Sequence, residues 1–217
     1  MISKGVQFGD IHSYDDLDLL FAPFVIPPAI PKTNLLDIPA GDGSLDLTEA
    51  LGEVRFNDRE FIMKFTVNPH SEMTFDEKVM QVSNLLNGKE MNITLDRDSD
   101  WYWQGRCVVN EHSQNKTLNQ ITIKAIVRPY KLKQVVTTKV FTLSSTPKSI
   151  ILTNNRKTVM PEIHCTADGT KIIVGSATYV LAAGTHSLLE IMFTEGNNEL
   201  TISGTGTITF RYQEGAL

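Results

Sequence analysis

The chain has 217 residues and a formal net charge of −5 at pH 7. This length is sufficient for one large all-β domain or two smaller domains. A net negative chain lacks the basic surface that marks nucleic-acid-binding proteins, so the composition argues against specific nucleic-acid binding. Residues 137–217 carry six basic and six acidic side chains, which leaves the whole negative charge in the first 136 residues.

Neither a disulfide framework nor a membrane span is expected. The chain has only two cysteines, Cys107 and Cys165, which are too few to staple a secreted fold. Its longest apolar run, residues 19–30, is interrupted by prolines and is shorter than the ~20 residues that cross a bilayer. No basic and apolar leader opens the chain. We therefore expect a protein that is made and folded in a reducing cytosol, without membrane insertion.

The first thirty residues predict short strands and an irregular segment. Residues 5–12 predict a strand and a turn, and the apolar pattern of residues 17–21 predicts a second strand. Residues 27–31 contain three prolines. Each proline removes a ladder donor, so this segment is expected to run extended at an edge rather than inside a sheet.

Residues 33–67 are predicted to form a structural arm and a buried strand. Two apolar segments flank a loop of small and acidic residues at 40–44, and a pair of strands is predicted to turn at Asn57-Asp58. The second of these strands alternates strictly, with Phe61, Met63, Phe65 and Val67 on one face. Nothing in the loop points to catalysis.

One helix is predicted, over residues 74–86. Thr74 and Glu77 have the spacing of a capping box. Apolar residues at positions 75, 79, 82 and 86 form a single stripe, and Asn87-Gly88 suits the end of a helix. A helix with one apolar stripe is expected to lie against a sheet or a neighbouring subunit.

Three further strands are predicted in the front part, at residues 91–95, 101–110 and 118–127, with polar turns at 96–100 and 111–116. Trp101 and Trp103 alternate with polar residues on a face shared with Cys107. These tryptophans suit either a core or a carbohydrate-stacking platform, and we favour the core because each tryptophan buries a large apolar area.

Beyond residue 140, short strands recur at close spacing without a helix. They are predicted at residues 149–153, 170–174, 178–181, 188–193, 199–202 and 207–212, with turns at Asp168-Gly169 and Asn197-Asn198. This pattern is typical of a small β-sandwich or jelly roll. We place the boundary at residues 134–138, giving an N-terminal domain over 1–135 and a C-terminal domain over 136–217.

No catalytic, cofactor-binding or metal-binding residues are predicted. His164, Cys165 and Asp168 lack the further ligands that a zinc site needs. Residues 96–100 begin like a calcium loop but have Trp101 and Cys107 where that loop needs glycine and glutamate. Gly204-Thr205-Gly206 lacks both the third glycine and the following helix of a nucleotide loop. We therefore do not expect an enzyme.

Several segments together resemble the distal tail (Dit) protein family of siphophages, in its short form without an inserted carbohydrate-binding module. Residues 39–50 read Pro-Ala-Gly-Asp-Gly-Ser-Leu-Asp-Leu-Thr-Glu-Ala, and residues 53–59 read Glu-Val-Arg-Phe-Asn-Asp-Arg. Both stretches are similar to the family's signature, although Ala40-Gly41 stands where the family often has Gly-Arg. Residues 5–13 resemble the family's start, and the stretches 195–200, 204–206 and 210–215 resemble its end.

The resemblance implies a mainly β fold: a sandwich-like or split-barrel-like N-terminal domain with one α-helix, followed by a galectin-like β-sandwich. It implies a homo-hexameric ring at the tail tip of a virion, built and assembled in the host bacterial cytoplasm. The implied partners are the tail-tube protein, the tail-associated hub protein of the baseplate and a receptor-binding protein. The signature residues expected to shape the arm and contact a neighbouring subunit are Gly41, Asp42, Gly43, Asp46, Thr48, Glu49 and Arg59.

Two other functional hypotheses stay open at this stage. One is a glycan-binding module, in which the C-terminal sandwich contacts the host cell wall. The other is a wall-degrading hydrolase, for which the many carboxylates of the front part offer no identifiable pair. The structural hypothesis predicts a stable oligomer, whereas the other two do not require one.

Overall fold

Alternating apolar and polar residues place about half of the chain in antiparallel strands, against a single described helix, which confirms the predicted mainly β class. The structure is a computed structural model, and it describes residues 5–50, 52–114 and 118–217. The chain divides into two compact units, Met1–Pro129 and Tyr130–Leu217. This division falls after Pro129, whereas the sequence places the boundary after residue 135.

The first unit contains nine described strands and one helix. They are β1 (Val6–Phe8), β2 (Ile11–His12), β3 (Leu19–Phe21), β4 (Leu35–Asp37), β5 (Ser44–Asp46), β6 (Arg59–Val67), α1 (Phe75–Leu86), β7 (Glu90–Leu95), β8 (Trp101–Gln114) and β9 (Asn119–Val127). Seven of the strands form one sheet in the order β2-β1-β7-β8-β9-β6-β3, and β4 pairs only with β5. The described helix is 12 residues long, and no described helix is long and apolar enough to span a membrane.

The seven-stranded sheet curls around its own core. Three strands separate β1 from β6 in the sheet, yet the rings of Phe8 and Phe65 lie 6.0 Å apart between centroids. The ring of Phe61 packs edge-on against Trp103 at 5.3 Å. The inner face of β6 is buried at every second residue, as its alternation predicts. Trp103 and Cys107 are buried in the same core, which confirms the core interpretation of this face, and Trp101 is half-buried.

The predicted helix is confirmed together with its cap. Thr74 Oγ1 accepts a hydrogen bond from the amide of Glu77, and Glu77 Oε2 accepts one from the amide of Thr74 at 2.9 Å. The Thr74 hydroxyl also donates to Glu77 Oε2, at 2.7 Å, and this bond together with the bond from the Thr74 amide lowers the pKa of the Glu77 carboxyl. Gly88 adopts a φ of +77°, as its place after the helix predicts, while Asn87 stays extended. Lys78 is buried as well, a placement that the apolar stripe does not predict.

Two predicted turns of the first unit are wrong. The chain before Asn57 does not form a hairpin with β6, because Phe56 bridges Pro31 and the amide of Asn57 donates to Ile30 O. The chain before Asn57 therefore pairs with the proline-rich segment, and not with β6 as we predicted. The turn predicted at residues 111–116 starts too early, since β8 continues to Gln114 through a bulge after Val109. Residues 115 and 116 of that prediction lie outside the described residues.

The second unit is a β-sandwich, as predicted. Its strands are β10 (Lys131–Lys133), β11 (Thr137–Thr142), β12 (Lys148–Asn154), β13 (Glu162–Cys165), β14 (Thr170–Val174), β15 (Ala177–Leu181), β16 (Gly184–His186), β17 (Gly196–Ser203), β18 (Thr207–Tyr212) and β19 (Gly215–Ala216). Two sheets, β11-β18-β13-β16 and β12-β17-β14-β15, contribute side chains to one apolar core. The ring of Phe193 contacts both Phe210 and Tyr212 in that core.

Two predictions in the second unit are wrong. Residues 188–193 form a turn and a loop rather than a strand, and the loop is held by a single bridge between Phe193 and Val159. Buried Ile191 and Phe193 fill the core from this loop, so their apolar character reflects burial rather than strand pairing. Asn198 lies inside β17, and its side chain accepts from the amide of Thr194 at 2.9 Å. Its turn-forming chemistry therefore acts on the preceding loop.

A buried carboxylate joins three segments of the second unit. Glu214 accepts hydrogen bonds from Lys133 Nζ at 2.9 Å, from Thr137 Oγ1 and from Asn155 Nδ2. Burial by itself raises the pKa of Glu214, but the hydrogen bonds from Thr137 and Lys133, the Lys133 charge and the bond from Asn155 lower it below its usual value. The carboxylate thus fixes β10 and the start of β11 to the C-terminal end of the chain.

We expect Glu214→Gln to destabilise this end of the sandwich by about 1–3 kcal/mol at pH 7, because hydrogen bonds to a charged, buried acceptor are lost. A depressed folded-state pKa stabilises the protein above the unfolded-state pKa of about 4.3 and loses that contribution as the pH falls through the folded-state value. The wild type should therefore lose protection in β10 and β19 below about pH 4, whereas the variant should show little of this dependence. Hydrogen exchange of the backbone amides of β10 and β19, followed as a function of pH, measures this loss of protection.

Glu195→Gln is the matched control, since Glu195 forms an exposed ion pair with Arg156. Exposed pairs contribute about 0–1 kcal/mol. Equal exchange rates for the two variants would contradict the role assigned to Glu214.

Candidate assembly interface

A two-stranded arm, residues 32–56, leaves the first unit and returns to it at the same point. At its root, Pro31 bridges Phe56, and the amide of Lys32 donates to Arg55 O at 2.8 Å. Because the two chain segments are paired there, the arm begins and ends as a ribbon. Its geometry is therefore that of an extension and not of a loose loop.

The central part of the arm is a short hairpin with a specified loop. β4 and β5 pair in register, with Leu36 opposite Leu45. Ser44 Oγ donates to Asp37 Oδ1 at 2.6 Å across the loop. Gly43 has a φ of +75°, which favours glycine. Ala40 has a φ of +61°, so the position where the family pattern often has glycine does adopt a glycine-like conformation.

Polar side chains hold the strand that returns to the root. Thr48 Oγ1 accepts from the amide of Asn34 at 3.1 Å, and Asp46 Oδ1 accepts from the amide of Thr48 at 2.9 Å. The hydrogen bonds from Thr48 lower the pKa of Asp46. Asp46 and Thr48 thus set the shape of the arm, in the way that short polar side chains shape turns.

The arm exposes large apolar side chains to solvent. Every residue from 31 to 46 is exposed. Four of these residues are large and apolar: Leu35, Leu36, Ile38 and Leu45. An isolated two-stranded ribbon is only marginally stable in water, and a cluster of exposed aliphatic residues marks an interaction surface. The arm therefore has the properties of a segment that folds against another molecule.

The structure brings six of the seven predicted signature residues together and separates the seventh. Gly41, Asp42 and Gly43 lie at the tip of the arm, and Asp46, Thr48 and Glu49 follow on its returning side. The side chains of Asp42 and Glu49 make no hydrogen bond or ion pair among the described residues. A subunit contact by any of the seven stays a prediction.

Arg59 is the exception, because it begins β6 and is buried. It lies on the inner face of the sheet and is 5% exposed. Its Nη1 donates to Pro27 O at 3.3 Å, while Nε and Nη2 are buried without an acceptor among the described residues. Burial lowers the pKa of Arg59. The sequence gives no signal of this burial, since arginine is rarely found inside.

The other candidate sites show only structural roles. Cys107 and Cys165 are free and buried, and burial raises the pKa of the Cys107 thiol to about 12. Residues 96–98 form a 3₁₀ turn, where Asp96 Oδ2 accepts from the amide of Gly5 at 2.6 Å. Across residues 5–50, 52–114 and 118–217, no group of three or more His, Cys, Asp or Glu side chains has the arrangement of a metal site.

The chain is similar in fold to one solved phage protein over nearly its whole length. The chain is similar to the crystal structure of Dit (gp 19.1) of SPP1, described as a paradigm of the hub adsorption apparatus in phages that infect Gram-positive bacteria. The TM-score is 0.72, the match covers 99% of this chain and 100% of that chain, and 12% of the aligned residues are identical. The similarity confirms the predicted resemblance at the level of the fold.

No protein-family model and no curated protein matches the chain.

Proposed function

We propose that this chain is a structural component of a phage tail, a distal tail protein that forms a homo-hexameric ring at the tail tip. The observation that carries the proposal is the arm, which presents apolar side chains to solvent in a chain whose whole length has the fold of a tail-hub protein. The proposed role is structural and not enzymatic.

In a ring of identical chains, a neighbouring subunit buries the apolar side chains that the arm exposes in the single chain. Such a ring closes through head-to-tail interfaces, in which one surface of each copy binds a different surface of the next copy. The arm is the surface that binds the neighbour: it projects from its root, and residues 31–46 are all exposed in the single chain. Ordering it against a neighbour removes its leucines from water, which is a favourable change of about 25 cal/mol for each Å² of apolar area buried.

The proposed partners above and below the ring are the tail-tube protein and the tail-associated hub protein of the baseplate, with a receptor-binding protein at the periphery. The negative charge of the first 136 residues suits partners that present basic surfaces. The glycan-binding alternative predicts instead that the C-terminal sandwich alone contacts the host.

Immunogold labelling of virions that encode this chain tests the proposed location. Antibodies raised against the purified protein should place gold at the tail tip, with the capsid and the tail shaft unlabelled. Labelling of the shaft or the capsid, or particles without label beside abundant free protein, would refute a role at the tail tip.

A further inference from the structure

Arg59 is a buried cation with one unsatisfied edge. Among the residues that the structure describes, only the Pro27 carbonyl accepts from this guanidinium, at Nη1, and the buried donors Nε and Nη2 have no acceptor. No described carboxylate lies within ion-pair distance of this guanidinium. A guanidinium stays protonated in proteins, and a buried charge without a partner is strongly unfavourable.

The two unsatisfied donors define the chemistry of the missing group. Nε and Nη2 lie along the same edge of the planar guanidinium, where their N–H bonds point in parallel. This edge matches the two oxygens of a carboxylate in a bidentate, side-on arrangement. A single carbonyl oxygen would satisfy only one of the two donors well.

The position of Arg59 connects it to the arm. The arm returns to the sheet at Phe56, three residues before Arg59, and Pro27 belongs to the segment that precedes the arm. The residues between β3 and the arm root are without regular structure, and Val25 among them is highly exposed. Arg59 contacts this irregular segment through the carbonyl of Pro27, so a ligand for the guanidinium requires the segment to move while the sheet stays intact.

We infer that Arg59 receives the Asp42 carboxylate from the arm of a second copy of this chain. The inference rests on the proposed ring and adds the receiving group of its interface. Asp42 lies at the arm tip and is unengaged among the described residues. Asp37 and Asp46 already accept hydrogen bonds within the arm, and Glu49, which is also unengaged, lies on the returning side and not at the tip. The twelve residues from Pro31 to Asp42, joined by eleven Cα–Cα steps, span at most about 40 Å, a reach that allows tip-to-root contact between neighbours.

A tip-to-root contact has the symmetry that a closed ring requires. Each copy provides Asp42 at the tip of its arm and binds a neighbour's Asp42 at its own root, so all interfaces are identical, and none is left unpaired once the rotation between neighbours closes the ring. The paired charges also specify the register of the arm on its neighbour, since a shifted arm leaves Arg59 uncompensated.

A double-mutant cycle on the full-length protein tests this pairing. Arg59→Met, Asp42→Asn and the double variant are diluted, and mass photometry gives the concentration at which half of the rings have dissociated. We expect each single variant to raise this concentration about tenfold or more, and the double variant to lie within about threefold of the worse single variant, because both remove the same interaction. Glu190→Gln is the control, at an exposed carboxylate of the second unit that makes no hydrogen bond or ion pair among the described residues, and it should stay within about threefold of the wild type.

Thermal unfolding below the dissociation concentration separates an interface role from a fold role. Removing an uncompensated charge should leave the melting temperature of the Arg59→Met monomer equal to or above that of the wild type. A lower melting temperature with unchanged ring dissociation, or effects of the two substitutions that simply add, would overturn the pairing while the ring itself stands. A wild type that never forms rings would overturn both.

Discussion

Leu36→Asp combined with Leu45→Asp should convert the protein from a ring to a monomer. The two leucines face each other across the β4–β5 ribbon and are 55% and 49% exposed. If a neighbouring subunit covers them, the variant must bury two carboxylates in an apolar contact, which costs several kcal/mol at every interface. Size-exclusion chromatography with light scattering should then give the mass of one chain at concentrations where the wild type is a ring.

The same variant should fold as well as the wild type, because neither leucine is buried in the single chain. The melting temperature of the monomeric variant should be close to that of the wild-type monomer, with a difference in the free energy of unfolding within about 0.5 kcal/mol. Val180→Asp is the matched control, since Val180 is an exposed aliphatic residue on β15 of the other unit. Loss of the ring in the control, or retention of the ring in the double variant, would contradict the assembly role of the arm.

Phe61→Ala should destabilise the first unit by about 3–5 kcal/mol, a large share of the stability of a typical domain. The ring of Phe61 is fully buried and packs against Phe24 and Trp103, with centroids at 5.2 Å and 5.3 Å. Its removal leaves a cavity in the centre of the curled sheet and also frees Phe24, which belongs to the segment that precedes the arm. Urea unfolding followed by tryptophan fluorescence reports on this unit, because both tryptophans lie in it.

Ile62→Ala provides the comparison on the same strand. Ile62 points to the outer face and is half-exposed, so its truncation should cost less than about 1 kcal/mol. If both alanine substitutions lowered the free energy of unfolding by similar amounts, the strand would not be buried on one face only.

The regular elements follow from the sequence where local pattern and burial agree. Strict alternation locates β6 and β9, because each has one buried face, and the Thr74–Glu77 capping box locates the start of α1. In the second unit the predicted bounds of β14 and β18 match the structure. In all these cases the element is specified by residues within itself.

Elements specified by distant partners were harder to predict. Apolar residues 188–193 suggest a strand, yet they fill the core from a loop. Asn57-Asp58 suggests a hairpin, but Phe56 pairs with Pro31 instead, a contact between residues far apart in sequence. The strands β11, β13 and β16 are absent from the prediction because they are short or mixed in polarity.

The sequence indicated where the candidate interface lies, but it did not indicate that this surface is apolar and exposed. The glycines and acidic residues of 40–44 predict a specified loop, and the loop does contain positive φ angles. The exposure of Leu36 and Leu45 becomes visible only in three dimensions, since leucines in a strand pattern suggest a core. The unsatisfied edge of Arg59 likewise requires coordinates, because no local pattern reveals which donors lack acceptors.

Negative-stain electron microscopy of the purified protein at micromolar concentration tests the central claim most directly. The proposed tail-tip function predicts closed rings with six-fold symmetry and a central opening, in which each subunit extends its arm to a neighbour. Particles the size of a single chain, with no rings at any concentration, would contradict it.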